Sequence, residues 1–468
     1  MQATDAATRW NGVVAHVEGR APADPPLSDV SEAEARRIPA ILYPTSVSEV
    51  QDIVNQARAS GTPIYPISTG RNWGLGSRSP VLDDCVLVDL SRLDRIREVD
   101  LQHGYAVIEA GVSQVALAQQ LVDTPWLLNV TTSCKDSSLL GNVMERGEGS
   151  IRPRLDDVLG LEVVLASGSL LTTGGVGRGA ERRYYGLGTG PDVSGLFYQS
   201  NFGVATACTI GFIARPQRID YVFGSFKREG LIEVVDTVLK LRRERILDNT
   251  FRLSELPVEP GSSGPPQDFT LLGPLLGRTA SVEGVEAVLK ADFAQLPSFR
   301  SIEFGPVDGL APGHPLYQRT QFFRGIPSCE MLRARFRVST CDLDGSSETG
   351  WTVVATVLPL DGRAVQTALD VVTRIADVEG LVSRLEVSVV SNTTILLMTA
   401  IWFKRNADGI ERMRRTQVAM RAQFKAAGFY PARDGIDAVR AEGPASDALA
   451  QIRAALDPAG IISPGRYV

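Results

Sequence analysis

One stretch, Tyr65-Pro66-Ile67-Ser68-Thr69-Gly70-Arg71-Asn72-Trp73-Gly74-Leu75-Gly76-Ser77, limits what this chain can fold into more than any other. An apolar, Pro-bounded strand runs into a loop of glycines, hydroxyls and an asparagine. That composition lets backbone N–H groups converge on an anion such as a diphosphate without Cβ atoms in the way. No Lys-Ser/Thr follows the last glycine, so the loop is not a Walker loop, and it lacks the Gly-x-Gly-x-x-Gly spacing of a helix-opening dinucleotide fingerprint. Taken alone, it reads equally well as a glycine-rich surface turn. Two further stretches share its character: Ser137 to Gly149, and Gly186 to Phe197 running on into Gln199-Ser200-Asn201-Phe202-Gly203-Val204. Three such loops (66–77, 135–149 and 186–204) so close together are hard to explain as surface turns.

At 468 residues the chain is too long for one core and calls for two or three domains. A net charge of −6 and no Lys/Arg run with interleaved aromatics argue against a nucleic-acid partner. The first residues lack a basic and then apolar leader, and no segment has the run of uncharged apolar residues that a membrane span needs, so the expected location is cytoplasmic. The five cysteines (Cys85, Cys134, Cys208, Cys329, Cys341) include no C-x-x-C pair and read as small buried apolar residues. His16, His103 and His314 lie far apart without ligand spacing, which counts against a histidine metal site and against a Ser-His-Asp triad. No metal is expected.

Ser46-Val47-Ser48-Glu49 is a capping box, with Val50, Ile53, Val54 and Ala57 at helical spacing and Gly61 and Pro63 as stops. Cys85 to Leu90 and Tyr105 to Ala110 read as strands, Ser113 starts a helix through Leu121, and Leu161 to Ala166 and Leu170 to Thr173 form a hairpin around Ser167-Gly168. From about residue 217, helices at 230–246, 281–296, 362–378 and 411–427 alternate with strands at 268–273, 351–358, 384–390 and 394–403. The pattern is α+β, with an antiparallel sheet flanked by helices on one face.

Five pieces in order carry a resemblance. They are Pro44-x-Ser-x-x-Glu-Val, Ser68-Thr69-Gly70-Arg71-Asn72, Leu140-Gly141-Asn142-Val143-Met144-Glu145-Arg146-Gly147, Gly195-Leu196-Phe197 with Gln199-Ser200-Asn201-Phe202-Gly203, and Ser463-Pro464-Gly465-Arg466. Together they resemble the vanillyl-alcohol oxidase/p-cresol methylhydroxylase family of FAD enzymes, its 4-phenol-oxidising branch more than the branch whose loop reads Gly-Gly-His. The resemblance implies an FAD-binding domain of two α+β subdomains over 1–216, a cap or substrate domain over 217–420 with 256–266 as a cap loop, and a segment 421–468 returning to the FAD domain. It also implies an FAD-dependent oxidase or dehydrogenase that takes a hydride from a C–H bond of a small organic alcohol or amine, or desaturates it, and passes electrons to O2 or another acceptor. A homodimer is an open expectation. A hydroxy-acid dehydrogenase, and a non-redox lyase or cyclase on the same scaffold, stay open beside it.

For FAD the resemblance points to Ser68, backbone N–H groups of Thr69, Gly70, Arg71, Asn72 and Gly74, side chains of Ser77, Ser138 and Asn142, Gly141, the Gly203-Val204 strand, and Arg466. The phenol-oxidising relatives hold their substrate as a phenolate with a tyrosine in the first loop and a Tyr-Arg pair near the C-terminus. Here those positions read Leu75 and Ala432-Arg433, so a simple para-alkylphenol is not the expected substrate. Arg433 is the candidate for the flavin site or a substrate carboxylate, against a solvated surface arginine. Tyr430 is a stand-in for the lost phenols, against a tyrosine packed at a helix end. Asp136 is a candidate base, against a loop-capping aspartate. Tyr184 and Tyr185 line the pocket or pack, and His314 reads as a turn residue.

The position that bears a linking histidine in other branches is Arg71, and the strand resembling the family's linking strand has Trp351 at the linking position. Neither offers a nucleophile. FAD is therefore expected to be held without a covalent bond, and acid precipitation should leave a colourless pellet with FAD in the supernatant. A yellow pellet rejects this.

Overall fold

The capping box forms largely as its spacing predicts. In the computed structural model, which describes residues 10, 18–20, 29–174, 186, 190–255, 268–439 and 447–467, Ser46 Oγ accepts the Glu49 N–H at 3.2 Å. The Glu49 carboxylate reaches back one residue further, to the Thr45 N–H at 2.7 Å. Helix Val47–Ser60 follows, buries Val50, Ile53, Val54 and Ala57, and ends at Gly61, whose φ of 65° suits a residue without a Cβ. The helix carries the chain from strand Ile41–Tyr43 to strand Ile64–Ile67, and both lie parallel to Val86–Asp89 in a four-stranded sheet. Tyr184, Tyr185, His16 and the 256–266 span lie outside the described residues.

A second sheet of five antiparallel strands has the order Ile96–Asp100, Tyr105–Glu109, Val204–Gly211, Val158–Val164, Leu170–Thr172. The expected hairpin is present, with Gly168 at φ 82° in its turn. The two sheets share one apolar core, and the chain passes close to its neighbour at Gly111. Its N–H donates to Leu93 O at 2.6 Å, and a Cβ there would stand 2.4 Å from the Ser91 carbonyl oxygen.

The third sheet has eight antiparallel strands, in the order Phe299–Pro306, Arg218–Lys227, Asp268–Gly277, Phe251–Glu255, Val382–Val389, Ile395–Lys404, Thr349–Leu358, Tyr430–Arg433. The sequence pattern anticipates four of these strands, at 268–273, 351–358, 384–390 and 394–403, and leaves out 218–227, 251–255, 299–306 and 430–433. Side chains alternate between its faces, as the pleat requires. Leu253, Leu271, Val354, Leu385, Val387 and Leu397 enter a core with helices Leu231–Arg243, Thr279–Phe293, Gly362–Glu379 and Ala407–Ala426. Their neighbours Arg252, Leu272, Val353, Ala355, Glu386, Leu396 and Met398 face a cavity.

The sequence boundary at 420 falls inside helix Ala407–Ala426, and strand Tyr430–Arg433 is the edge of the eight-stranded sheet. The chain returns to the first sheet further on: Ile64 N–H donates to Ile461 O and Ser463 N–H to Ile64 O, each at 2.8 Å. The first glycine loop is tied directly to the cap, because Gly74 O accepts from Thr352 Oγ1 at 2.9 Å and from the Val353 N–H at 3.2 Å. Asp344 completes that seam, accepting from the Val30 N–H, Ser77 Oγ and Trp73 Nε1 at 2.9, 2.7 and 3.1 Å. Among the described residues, no helix is long and apolar enough to cross a membrane.

Since backbone atoms cannot yield as a flexible side chain would, Gly111→Ala is expected to destabilise the fold by about 1–3 kcal/mol. Urea unfolding followed by tryptophan fluorescence should show a lower midpoint at unchanged slope. A midpoint equal to the parent's would mean that the two chain segments separate there without cost.

Candidate functional site

Between the glycine loops and the open face of the eight-stranded sheet lies a cavity of about 510 Å³. Its floor is built from the end of strand Ile64–Ile67, the loop 68–77, helix Leu139–Met144 and the stretch around Gln199 and Gly203. The roof is the sheet face together with Arg319, Phe322, Phe323, Arg335 and Phe336, and the tail residues Ser463, Arg466 and Tyr467 close one side. Among the described residues, seven arginines and three glutamates line it, with no lysine, aspartate, histidine or cysteine. A chain of net charge −6 thus encloses a cationic cavity.

The loop is shaped as an anion cradle. The N–H groups of Thr69, Gly70, Arg71 and Asn72 donate to no protein acceptor among the described residues, and four consecutive free donors beside a cavity need an external acceptor. Gly70 has φ 67°. Gly141 lets the helix approach the loop, since a Cβ there would lie 2.2 Å from Ser68 Oγ. The backbone donors and the arginines beside them fit the FAD diphosphate that the motifs imply.

Ser68, Thr69, Gly70, Arg71, Asn72, Ser77, Ser138, Gly141, Asn142, Gly203, Arg433 and Arg466 all line the cavity. Several side chains expected to donate there are committed elsewhere. Ser138 Oγ donates to Ala110 O at 2.7 Å and caps the helix by accepting the Gly141 N–H at 2.8 Å. Ser77 Oγ donates within the Asp29 and Asp344 pair, and Asn142 Oδ1 accepts from Arg154 Nε at 3.1 Å. Gly74 and Val204 stand behind the lining, with Ala205 in place of the latter.

Two of the three catalytic candidates are displaced. Tyr430 is 74% exposed on the edge strand and does not reach the cavity. The strand is the outer edge of the sheet and its first two residues, Tyr430 and Pro431, are both in water, which nothing in the local sequence marks. The Asp136 carboxylate turns from the cavity to Lys135 Nζ at 2.8 Å, while its carbonyl accepts from Arg71 at 3.0 Å. His314 sits in a turn, where its ring nitrogen accepts the Leu316 N–H at 3.2 Å. The positions of the lost phenols are filled by an apolar patch in which Leu75, Val353, Ala355, Met398 and Ala432 pack together.

Arg433 does reach the site, in a cluster the sequence did not reveal. Its Nε lies 3.1 Å from Glu145 Oε2 and its Nη2 donates to Asn72 Oδ1. Arg466 Nη2 is 3.2 Å from the other Glu145 oxygen, and the Tyr467 hydroxyl donates to the same carboxylate. Burial alone would raise the Glu145 pKa; Arg466 and Arg433 outweigh it and hold the carboxyl at about 2. Burial drives the Tyr467 and Tyr65 phenols up.

The roof adds a second charged group. Arg252 Nη2 lies 3.4 Å from Glu148 Oε2 and its Nε 3.6 Å from Glu386 Oε1. Burial raises the Glu148 carboxyl against the pull of Arg252. Arg319 has no ion pair or hydrogen bond among the described residues, and burial lowers its pKa without discharging a guanidinium. Arg335 lies over the Trp402 ring, 5.4 Å from its centroid, and feels the Glu386 carboxylate without an ion pair or hydrogen bond to it among the described residues. No motif joins Arg252, Arg319, Arg335 and Glu386. The available signal was a charge at Arg252 inside the apolar strand Phe251-Arg252-Leu253.

Comparison with known proteins agrees with this geometry. Residues 38–174 match the FAD binding domain family model. A 1'-carboxy-chondrochloren decarboxylase of Chondromyces crocatus is 28% identical over 97% of this chain and 94% of its own length. The flavoprotein subunit of 4-cresol dehydrogenase (hydroxylating) of Pseudomonas putida is 29% identical over 51% of this chain, a match spanning 46% of that protein. The structure of 4-ethylphenol oxidase from Gulosibacter chungangensis, in an isoeugenol complex, superposes with a TM-score of 0.88 at 21% identity, over 100% of this chain and 98% of that one.

Glu145 titrates far below the usual glutamate value of 4.5, so its contribution to stability is complete above that pH and is lost as pH falls toward 2. Glu145→Gln removes the counter-ion of the buried Arg466 and the half-buried Arg433 and is expected to cost about 3 kcal/mol at neutral pH. The gap between variant and parent, measured by urea unfolding at a series of pH values, should shrink once pH drops below that of a free glutamate. A gap independent of pH would assign the loss to packing.

Proposed function

Because the chain belongs to the vanillyl-alcohol oxidase/p-cresol methylhydroxylase type of FAD-binding oxidoreductases, we propose that it oxidises a small organic substrate bearing a carboxylate. The observation that carries this reading is Arg319, a cavity-facing guanidinium with no ion pair or hydrogen bond among the described residues, with Arg335 also in the roof and the Glu386 carboxylate acting on both only from a distance. A partly buried guanidinium without a paired acceptor is costly, and a ligand carboxylate relieves that cost with a fork-shaped, two-point contact.

FAD bound in this cavity supplies a hydride acceptor. The chain's own contribution begins with the four free N–H groups of residues 69–72, which take the diphosphate. The cluster of Arg433, Arg466 and Glu145 keeps a fixed charge pattern beside it that does not change at working pH. Arg319 pairs with the substrate carboxylate, and Arg335 adds a second cation. Glu148, raised by burial, is the group placed to accept the substrate's proton. Trp351, Phe336, Leu396 and Met398 keep water out. The apolar patch at Leu75 and Ala432 offers nothing to hold a phenolate.

The C. crocatus relative, whose name describes a carboxylated substrate, supports this reading. A hydroxy acid presents the same anion and is the second reading, with the grip on the carboxylate moved from Arg433, which is already paired, to Arg319. The absence of a histidine or cysteine from the lining, and the raised Tyr65 and Tyr467 phenols, support FAD held without a covalent bond. We place the reaction in the cytoplasm, with O2 or another acceptor taking the electrons.

Anaerobic mixing with carboxylated aromatics, 2-hydroxy acids, their amides, simple alcohols and p-cresol should bleach the flavin band fastest with the free acids. Arg319→Met should raise KM for the best acid by about 30-fold, some 2 kcal/mol, while leaving turnover of its amide and thermal stability unchanged. Faster bleaching by p-cresol or a neutral alcohol refutes the carboxylate reading, and turnover of the best substrate without bleaching refutes the redox one.

A further inference from the structure

Three of the five cysteines, far apart in sequence, converge in the fold. Cys134, Cys329 and Cys341 meet beside Asp136, with all four ligand atoms within 4.8 Å of one another. Cys134 and Cys329 are buried with their Sγ atoms 2.7 Å apart, while Cys341 and Asp136 are partly exposed. Two thiolates about 2.3 Å from one tetrahedral zinc stand roughly 3.7 Å apart, so binding spreads the first pair by about 1 Å. The surrounding residues are apolar: Val30, Trp73, Leu332, Leu343 and Trp351. We propose that Cys134, Cys329, Cys341 and Asp136 form a binding site for one thiophilic divalent cation, zinc in the first instance, that fastens the second glycine loop to the cap.

The donor set is that of a closed structural zinc site, three thiolates and one carboxylate oxygen. Asp136 Oδ1 is held by Lys135 Nζ at 2.8 Å, and Oδ2 has no partner among the described residues, so one oxygen remains for the metal. Charge closes as well. Three thiolates and a carboxylate around a divalent cation leave two negative charges, and Arg71 and Lys135, both near enough to act on these sulfurs, supply two positive ones. Binding displaces three thiol protons to water and needs no oxidant.

The placement gives the site a task. Cys134 and Asp136 lead directly into Ser137 and Ser138, which line the cavity floor. Cys329 caps helix Glu330–Phe336, whose Met331, Leu332, Arg335 and Phe336 line the roof, and Cys341 follows that helix. One ion would therefore bridge floor and roof beside the flavin cradle, without lining the cavity itself. This inference does not depend on the choice of substrate.

The full-length chain, incubated with zinc alone and desalted, should carry about one zinc per chain by elemental mass spectrometry. A mercurial thiol reagent should release it, and chelation should speed loss of FAD severalfold. Cys341→Ser, at the partly exposed ligand, should lose most of the zinc, and Cys85→Ser, remote from the cluster, should keep it. Should the serine variants not fold, mercurial release from the unaltered protein still decides. Less than about a tenth of an equivalent of zinc, zinc that survives Cys341→Ser, or a mass showing these thiols joined as a disulfide in zinc-free protein would each overturn the proposal.

Discussion

The half-buried carboxylate of Glu145 is the point on which four separate pieces of chain depend. It ends the helix of the second glycine loop, pairs with Arg433 from the edge of the cap sheet, and pairs with Arg466 from the tail. Through Arg433 it also reaches Asn72 in the first loop. Burying one carboxylate with two guanidinium groups costs solvation that only tight pairing repays, so the pieces must arrive together. The flavin cradle is consequently not a property of any one loop. It exists when the cap edge and the last residues are in place.

The cap sheet serves two purposes with a single pattern. Because successive side chains point to opposite faces, the strands that bury Leu253, Val387 and Leu397 under helices also present Arg252, Glu386, Leu396 and Met398 to the cavity. Stability and specificity are set by alternate residues of the same strands. The exposed-face residues are then free to vary in polarity without loss of the helix-packed core.

That separation also explains what the sequence disclosed. The flavin loops were legible because anion binding by backbone constrains local composition: Gly70, Gly141 and their neighbours must be small wherever the loop lies. Four of the eight cap strands and the four long helices followed from their periodicity, while the interior strands Arg218–Lys227 and Phe251–Glu255 did not. The roof was not legible, since Arg252, Arg319, Arg335 and Glu386 come from four elements and share no spacing. Asp136 and Tyr430 misled for a related reason, as proximity in sequence to a motif says nothing about which side of a loop or strand a side chain takes. The cysteine cluster is a further instance, invisible to any rule based on pair spacing because its members come from both domains.

The distribution of charge has a kinetic meaning. A chain with net charge −6 whose cavity holds an excess of arginine carries a still larger surplus of negative charge on its outer surface. An anion approaching from solution first meets repulsion over roughly a Debye length, about 8 Å at physiological ionic strength, and only then the attraction of the interior. Added salt screens the outer field far more than the enclosed one. Anionic molecules would accordingly enter faster as ionic strength rises, the reverse of the steering found in enzymes whose surface and site share one sign of potential.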